Sequence, residues 1–400
     1  MPVCQAPTLR FGYVGVHRML RRAATLAPVD RDAVRVILWR FVVTRLVIFA
    51  IATGAVVHLP IDRTEARGFH LPPQPHAFLE AWARYDACWY LTIAQHGYVD
   101  SIGAEDMRAA FFPLFPSVIA ALTPVVGQPM IASLVISNVC YFVFLVLLWT
   151  IVEPRWGERV AEAAVWTYLL FPSAFFLSGA YSESLLLVLT AGALLMAMQR
   201  RWLAAGVLVA LATLTRPLGV VAVVPVLAEY GSSTERFSSE AARRLSLIVL
   251  PLAGALAAYA VVAWRSFGDP LAILGMETAV RGSVGTPWQP FVAMWQDGPR
   301  VHAFNNSLID AVLALAAVVS LPILFAGGPR GYACYALVLV FVPLSESLMS
   351  FNRLVLPSFP HAILLARAID RPWLRSTVFA SFGTLQAVWV AAFATWHWVA

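Results

Sequence analysis

Residues 131–153 read IASLVISNVCYFVFLVLLWTIVE and carry no charge before the final glutamate. About 20 consecutive apolar residues are enough for an α-helix to cross the hydrocarbon core of a bilayer. The stretch is therefore typical of a membrane-spanning helix, and it is one of several. The other apolar runs lie at 36–59, 162–180, 184–199, 202–228, 247–267, 304–326, 332–349, 355–369 and 376–398.

The composition of the whole chain indicates the same class. Of the 400 residues, 60% are hydrophobic and 12% are charged, whereas soluble domains carry about 25% charged residues. All 28 basic residues are arginine, and they lie in short segments between the apolar runs. This distribution is typical of the positive-inside rule and argues against a nucleic-acid-binding face. We expect an all-α, polytopic integral membrane protein.

The sequence does not indicate a metal or a cofactor. The four cysteines, Cys4, Cys88, Cys140 and Cys334, show no CxxC spacing, so neither a disulfide framework nor a zinc site follows from them. No phosphate-cradling glycine loop is present, which argues against a nucleotide site.

The arginines predict the orientation of the chain. The tail 1–35 is rich in arginine, and we interpret run 36–59 as a retained signal-anchor whose Arg40 and Arg45 snorkel toward the basic side. Alternate crossings then place the short arginine-rich connections in the cytoplasm. This requires that 111–126 lies on the outer surface and that 202–228 is two short helices, broken where Pro217 disfavours helix at the preceding residue.

The resulting prediction is about eleven transmembrane helices in one domain, residues 36–400. Its large extracytoplasmic segments are 60–130 and 268–303. Glu277, Arg281 and Trp288 lie in the second of these, and their location alone makes them candidates for covering a site or selecting an acceptor.

The most informative polar stretch is RYDACWYLTIAQHGY, residues 84–98, in the first outer segment. Asp86 stands among Tyr85, Trp89 and Tyr90, an aromatic setting suited to a general base and to stacking on a sugar. The alternative is that Asp86 caps a helix or is a solvated loop carboxylate. His96 is a candidate for orienting Asp86, although a lone loop histidine is more often polar surface.

Three further charges are predicted at outer helix ends. Glu183 opens one crossing, where a carboxylate is favourable on its own account, so it is either a binding residue or a helix-end charge. Arg216 and Arg353 are candidates for binding a phosphate, because arginine contacts phosphate bidentately. The alternative for both is an interfacial position or an ion pair with Glu183 or Glu346.

Residues 84–98 resemble the W-D-A-x-W-Y-L-x-I-A-x-x-G-Y motif of the PIG-V-type mannosyltransferases, which belong to the GT-C class of membrane glycosyltransferases. Similar segments follow in the same order over nearly the whole chain: FFPLFP at 111–116, SN at 137–138, YSESL at 181–185, LTRPLG at 214–219 and WVA at 398–400. The chain departs from the family at Tyr85, where the family has tryptophan, and at Leu354, where an aromatic residue is expected after the arginine.

The resemblance implies a GT-C-type helical bundle with a large first extracytoplasmic loop. It implies a hexosyltransferase that moves mannose from a polyprenyl-phosphate sugar donor, with inversion, to an extracytoplasmic acceptor. That acceptor would be a lipid-linked or polymeric glycan, and Asp86 would be the general base. The protein would lie in a bacterial plasma membrane, with the reaction on its outer face. The other classes left open are a transporter or flippase for a lipid-linked sugar, and an inactive scaffold.

Overall fold

The computed structural model describes residues 30–62, 74–98, 107–233, 238–300 and 307–399. Most of the predicted tail 1–35, including Cys4, and parts of both predicted outer segments lie outside the described residues. The first α-helices are α1 Arg31–His58, α2 Ala77–Glu80, α3 Asp86–His96, α4 Leu114–Val126, α5 Pro129–Trp156, α6 Glu158–Leu170, α7 Glu183–Met198 and α8 Trp202–Thr213. The later α-helices are α9 Val223–Ser233, α10 Ser239–Phe267, α11 Ala272–Arg281, α12 Gln289–Gln296, α13 Leu308–Gly327, α14 Arg330–Leu344, α15 Phe351–Leu354, α16 Phe359–Ala368 and α17 Pro372–Ala394.

Five of these helices are long and apolar enough to cross a membrane, namely α1, α5, α10, α13 and α17. Helix α6 and the 3-10 helix Pro172–Ser178, which meet at an angle of 80°, would make a sixth span if the bent pair is one crossing. The prediction of a polytopic helical membrane protein is confirmed. The number of eleven crossings stays a prediction, because the other apolar runs form shorter helices.

The predicted break near residue 216 is confirmed. Helix α8 ends at Thr213, Arg216 has an extended backbone, and a 3-10 helix covers Pro217–Ala222 before α9 begins. A side chain at Gly219 would place its Cβ 1.9 Å from the Ala212 carbonyl oxygen. Glycine is required there because the returning backbone lies directly against the end of α8.

Helix α4 covers most of the segment 111–126, whose location on the outer surface stays a prediction. It has 13 residues and is therefore about 20 Å long, short of the roughly 30 Å of a bilayer's hydrocarbon core. Its first N–H, that of Leu114, donates to the carbonyl of Leu214 at 2.9 Å. The start of α4 is thus joined to the break that follows α8.

The bend after α6 is stabilised by polar side chains from three other helices. Pro172 interrupts the helix, and unpaired carbonyls at such a break need partners within a membrane. Arg45 donates to the carbonyl of Leu169 at 2.8 Å, and Tyr141 donates to that of Tyr168 at 2.6 Å. Gln386 donates to the carbonyl of Phe171 at 2.8 Å.

Arg45 therefore differs from its sequence-based prediction. Arg45 is only 3% exposed, and besides its bond to Leu169 its guanidinium donates to Ser178 Oγ at 3.1 Å. The expectation that Arg45 snorkels to the basic side is wrong, because the α6 bend offers it acceptors inside the protein. Arg40, one turn earlier, is part-buried and pairs with Glu162 at 2.5 Å.

The main apolar core runs from Ile37 in α1 to Val399 after α17. Helix α7 packs between α5 and α8, α10 packs on α8, and α17 packs on α1. This arrangement brings the first residues of α3 and α7, the break after α8, and the short helix α15 to one end of the bundle, where their charged side chains meet.

Candidate active site

Four charged side chains form a continuous chain of ion pairs at this end of the bundle. Arg353 Nη2 lies 2.5 Å from Asp86 Oδ2, and Arg353 Nε lies 3.0 Å from Glu183 Oε1. Arg216 Nη1 donates to the same Glu183 oxygen at 2.6 Å. Residues that are far apart in sequence thus alternate in sign, and their formal charges cancel.

Arg353 is at the centre of this chain. Its side chain is 6% exposed and contacts the rings of Phe176 and Tyr181, with the guanidinium carbon 5.4 and 5.3 Å from their centroids. It lies between α14 and α16, outside the helices assigned as spans. Burial disfavours its charge, but the carboxylates of Asp86 and Glu183 outweigh burial and raise the pKa of Arg353 above its ordinary value. Arg353 is therefore a fixed cation.

Asp86 is the first residue of α3 and is the most accessible of the four charged groups. Its side chain is 22% exposed, compared with 11% for Arg216 and 1% for Glu183. The helix-cap alternative does not describe it, since the N-cap residue is Tyr85 and no side chain caps the helix. A carboxylate in the first turn is favoured by the helix dipole.

The backbone before each member of the Asp86–Arg353 pair is strained. Tyr85 has φ +48° and Ser350, the N-cap of α15, has φ +60°. Non-glycine residues rarely adopt such angles, which occur preferentially at functional sites. The two helices that carry Asp86 and Arg353 both begin directly after such a residue.

Glu183 is the first residue of α7, as predicted, and Ser184 follows it. Both are fully or almost fully buried, and Glu183 Oε2 and Ser184 Oγ have no hydrogen-bond partner among the described residues. The nearby Trp89 Nε1 is also buried without a partner in that part of the chain. Buried polar atoms of this kind are rare in proteins and require an explanation such as a functional role.

The predicted aromatic residues are adjacent to the charges, but they are not equivalent. Tyr90 donates to or accepts from Ser182 Oγ at 2.8 Å, directly before Glu183. The Trp89 ring stacks on Phe111 with centroids 6.2 Å apart. The ring of Tyr85 instead packs among aromatic rings at the other end of the chain, those of Phe393, Trp396 and Trp398.

His96 is not part of this arrangement. It is the exposed last residue of α3, ten positions after Asp86, which places it about 15 Å further along the helix axis. The expectation that His96 orients Asp86 is wrong for this reason. Instead, Arg353 contacts Asp86 directly.

Sequence reasoning missed the residues that hold Arg353 in place. The buried Asp310 accepts a hydrogen bond from the backbone N–H of Asn352 at 2.7 Å. The Asn352 carbonyl accepts from Ser173 at 2.8 Å, and its side-chain amide donates to the carbonyl of Val399 at 3.3 Å. A lone carboxylate within the apolar run 304–326 was the available signal, because an ionisable group in such a run needs a partner.

The second predicted outer segment contacts the same loop. Arg281, at the end of α11, donates to the carbonyl of Met349 at 3.0 Å and pairs with Glu277 at 3.1 Å. Its distance to Glu346 is 3.9 Å. The alternative pairing of Arg353 with Glu346 is therefore not seen, since Arg281 lies beside that carboxylate. Trp288, the third candidate of this segment, is 64% exposed.

An apolar cavity of about 450 Å³ is lined in part by the segment that follows Arg353 in the chain. Val355 and Leu356, which directly follow α15, line it together with residues of α6, α13, α16 and α17. Its polar side chains include His361 and Ser358, which are hydrogen-bonded to each other at 2.6 Å. Within the described residues, no three His, Cys, Asp or Glu side chains converge as a metal site would require.

Comparison with known proteins identifies a related family. The model of the family described as mannosyltransferase (PIG-V) matches residues 34–239, just over half of the chain. The matched part contains Asp86, Glu183 and Arg216, while Arg353 lies beyond it. No curated protein matches the chain.

Proposed function

The chain belongs to the mannosyltransferase (PIG-V) family and is thus a glycosyltransferase, and on this basis we propose that it transfers mannose from a polyprenyl-phosphate donor to an extracytoplasmic glycan acceptor. The observation that carries the proposal is the accessible Asp86, held by the buried Arg353, whose chain continues at Val355 into the wall of an apolar cavity. A carboxylate base, a cation for phosphate and an apolar groove for a lipid are the three groups that this reaction needs.

Asp86 is the proposed general base. Among the four charged residues its carboxylate is the most exposed, so an acceptor hydroxyl can reach it. In the resting protein its Oδ2 is occupied by Arg353. This ion pair fixes the carboxylate in position.

The donor phosphate is proposed to bind Arg353 and Arg216. Both arginines contact a carboxylate in the resting protein, and a phosphate brings competing oxygen acceptors of the same kind. When the phosphate takes over Arg353, the Asp86 oxygen is released from its ion pair and is free to accept the proton of the acceptor hydroxyl. Donor binding and activation of the base are thereby coupled through one guanidinium.

The apolar cavity is the proposed position for the first isoprene units. Val355, two residues after Arg353, is part of its lining, which is mostly aliphatic and aromatic. A phosphate at Arg353 thus has an apolar path directly beside it.

The proposed reaction is a single displacement. Asp86 takes the proton of the acceptor hydroxyl, whose oxygen forms a bond to the anomeric carbon of mannose. The bond from that carbon to the phosphate oxygen breaks, and its electron pair leaves with polyprenyl phosphate. The configuration inverts, so a β-linked donor gives an α-mannoside on a lipid-linked or polymeric acceptor. The arginine distribution supports a site on the outer face of the plasma membrane.

Donor comparison in proteoliposomes tests the proposal. The full-length protein is supplied with radiolabelled mannose linked either to polyprenyl phosphate or to a nucleotide, together with membrane lipid and cell-wall glycan fractions. We expect labelled product from the polyprenyl donor, released by an α-specific mannosidase, and none in vesicles that lack the protein. Transfer from the nucleotide donor, or a β-linked product, would contradict the proposal.

A further inference from the structure

A second cavity, of about 580 Å³, lies at the opposite end of α7 from Glu183. It is lined by the turn after α7 and by the starts of α8 and α10, and its charged residues are Arg200, Arg201, Arg243, Arg244 and Glu240. Helix α7 has 16 residues and is thus about 24 Å long. The cavity is therefore nearly one membrane thickness from the candidate active site and takes no part in its chemistry.

The cavity carries an excess of positive charge that the protein does not neutralise. Glu240 pairs with Arg243 at 2.8 Å and with Arg244 at 2.7 Å. Arg200 and Arg201 are exposed, and no carboxylate pairs with either of them among the residues described by the structure. Four arginines thus share one glutamate. This excess suits an anion with several oxygen acceptors, such as a phosphate.

The backbone supports a role for Arg200 beyond topology. Arg200 has φ +60°, in the turn that ends α7. Glycine is the usual residue for this conformation after a helix. The positive-inside rule asks only for basic residues near a membrane-spanning segment and does not explain an arginine at a position where it strains the chain.

The cavity continues into apolar surface, which distinguishes a lipid from a free anion. Trp202 is buried beside the arginines with its ring against Tyr230, 5.7 Å between centroids. Leu203 at the cavity and Leu250 on α10 are 54% and 67% exposed. Helix α10 is one of the candidate spans, so acyl chains beneath a bound headgroup would lie against these side chains.

We propose that this cavity, formed by Arg200, Arg201, Arg243 and Arg244, binds the phosphate headgroup of an anionic phospholipid from the leaflet opposite Asp86. The headgroup occupies the cavity at the starts of α8 and α10 and neutralises the arginines. Basic pockets between membrane helices on the cytoplasmic side bind anionic headgroups in this manner. The proposal does not depend on the transferase activity.

Native mass spectrometry of the detergent-purified, full-length protein tests the proposal, with dioleoylphosphatidylglycerol, dioleoylphosphatidylcholine and inorganic phosphate as probes. We expect bound phosphatidylglycerol in preference to phosphatidylcholine. Because each arginine near an anionic headgroup contributes roughly fivefold in affinity, the Arg200→Gln/Arg201→Gln variant should bind phosphatidylglycerol about thirtyfold more weakly. The matched control is Arg330→Gln/Arg371→Gln, which removes the same charge from exposed residues outside the cavity.

A second variant separates lipid binding from folding. Arg200→Gly removes one charge and relieves the positive φ, so thermal stability without lipid should be retained or improved while affinity for phosphatidylglycerol falls. Equal lipid binding by wild type, cavity variants and control would overturn the proposal, because general surface charge would then suffice. Binding of inorganic phosphate as tight as the binding of phosphatidylglycerol would overturn the proposal in favour of a free-anion site.

Discussion

Arg353 is the single residue on which the chemistry of the candidate site depends most. It contacts two carboxylates and two aromatic rings while almost completely buried. Taking a guanidinium out of water is costly unless it is paired, so Asp86 and Glu183 compensate for its burial. The same pairing makes the site responsive, since an incoming phosphate changes the partners of both acids.

Arg353→Gln is predicted to destabilise the protein as well as to weaken donor binding. Removing the central cation leaves two neighbouring carboxylates without it, which typically costs about 3–5 kcal/mol for a buried pair. Unfolding of the purified protein in detergent measures this loss of free energy. In the double variant Arg353→Gln/Asp86→Asn, one unpaired charge is removed as well, so part of the stability should return. Strictly additive losses would contradict a direct coupling of these two residues.

Asp310 helps to hold the short helix α15 in position, and this helix carries Arg353. Helix α15 is one turn long and cannot hold its own position. Its placement depends on hydrogen bonds at Asn352 from three elements and on the contact of Arg281 with Met349. Of the groups that bond Asn352, the Asp310 carboxylate is the charged one.

Asp310→Ala is therefore predicted to lower stability and to raise the KM for the donor. A hydrogen bond to a charged group contributes about 1.5–3 kcal/mol, and its loss frees the segment that carries Arg353. Asp310→Asn retains an acceptor oxygen, so its stability and its KM for the donor should be close to those of the wild type. Thermal unfolding measures the stability of the two Asp310 variants, and initial rates at different donor concentrations measure their KM. If Asp310→Ala raised the KM no more than Asp310→Asn does, Asp310 would have no positioning role.

Two glycines in the α8–α10 pair provide a matched test of helix packing. A Cβ at Gly206 of α8 would lie 2.3 Å from the Leu247 carbonyl oxygen of α10, whereas Gly254 of α10 has open space around it. Small residues permit such close backbone approach in membrane proteins. Gly206→Ala should cost about 1–3 kcal/mol by overpacking. Gly254→Ala should leave stability unchanged or improve it. Equal melting temperatures for the two variants would contradict the close contact.

The elements show what the sequence can and cannot predict. Apolar length and the proline at 217 were sufficient for the long helices and for the break near Arg216. The burial of Arg45 was not predictable, because it depends on carbonyls freed at the bend after α6, more than 120 residues away. The chain of ion pairs was foreseen only as an alternative, since side-chain contacts between distant segments leave no periodic signal.

At the scale of the whole molecule, the main question is which side of the membrane each end of the bundle faces. The arginine-rich connections predict that the start of α10 is cytoplasmic and that its end is extracytoplasmic. The same orientation places the Asp86 site outside and the arginine-lined cavity inside.

Cysteine labelling on both sides of α10 measures this orientation. In a protein whose four native cysteines are replaced, a membrane-impermeant maleimide should label Asp269→Cys in intact cells. It should label Ser238→Cys only after the membrane is permeabilised. Both positions are exposed and flank the same helix. The reverse pattern would move the proposed active site to the cytoplasmic side.

If Asp86 removes the proton of the acceptor, mannose transfer by Asp86→Asn must be slower than transfer by the wild type. The matched control is Asp370→Asn, an exposed aspartate in the connection between α16 and α17. A general base contributes about 10²–10⁴-fold, so single-turnover transfer from polyprenyl-phosphate mannose should fall by that factor in Asp86→Asn, with donor binding retained. The control should transfer at the wild-type rate. Transfer by Asp86→Asn at the wild-type rate would show that Asp86 is not the general base.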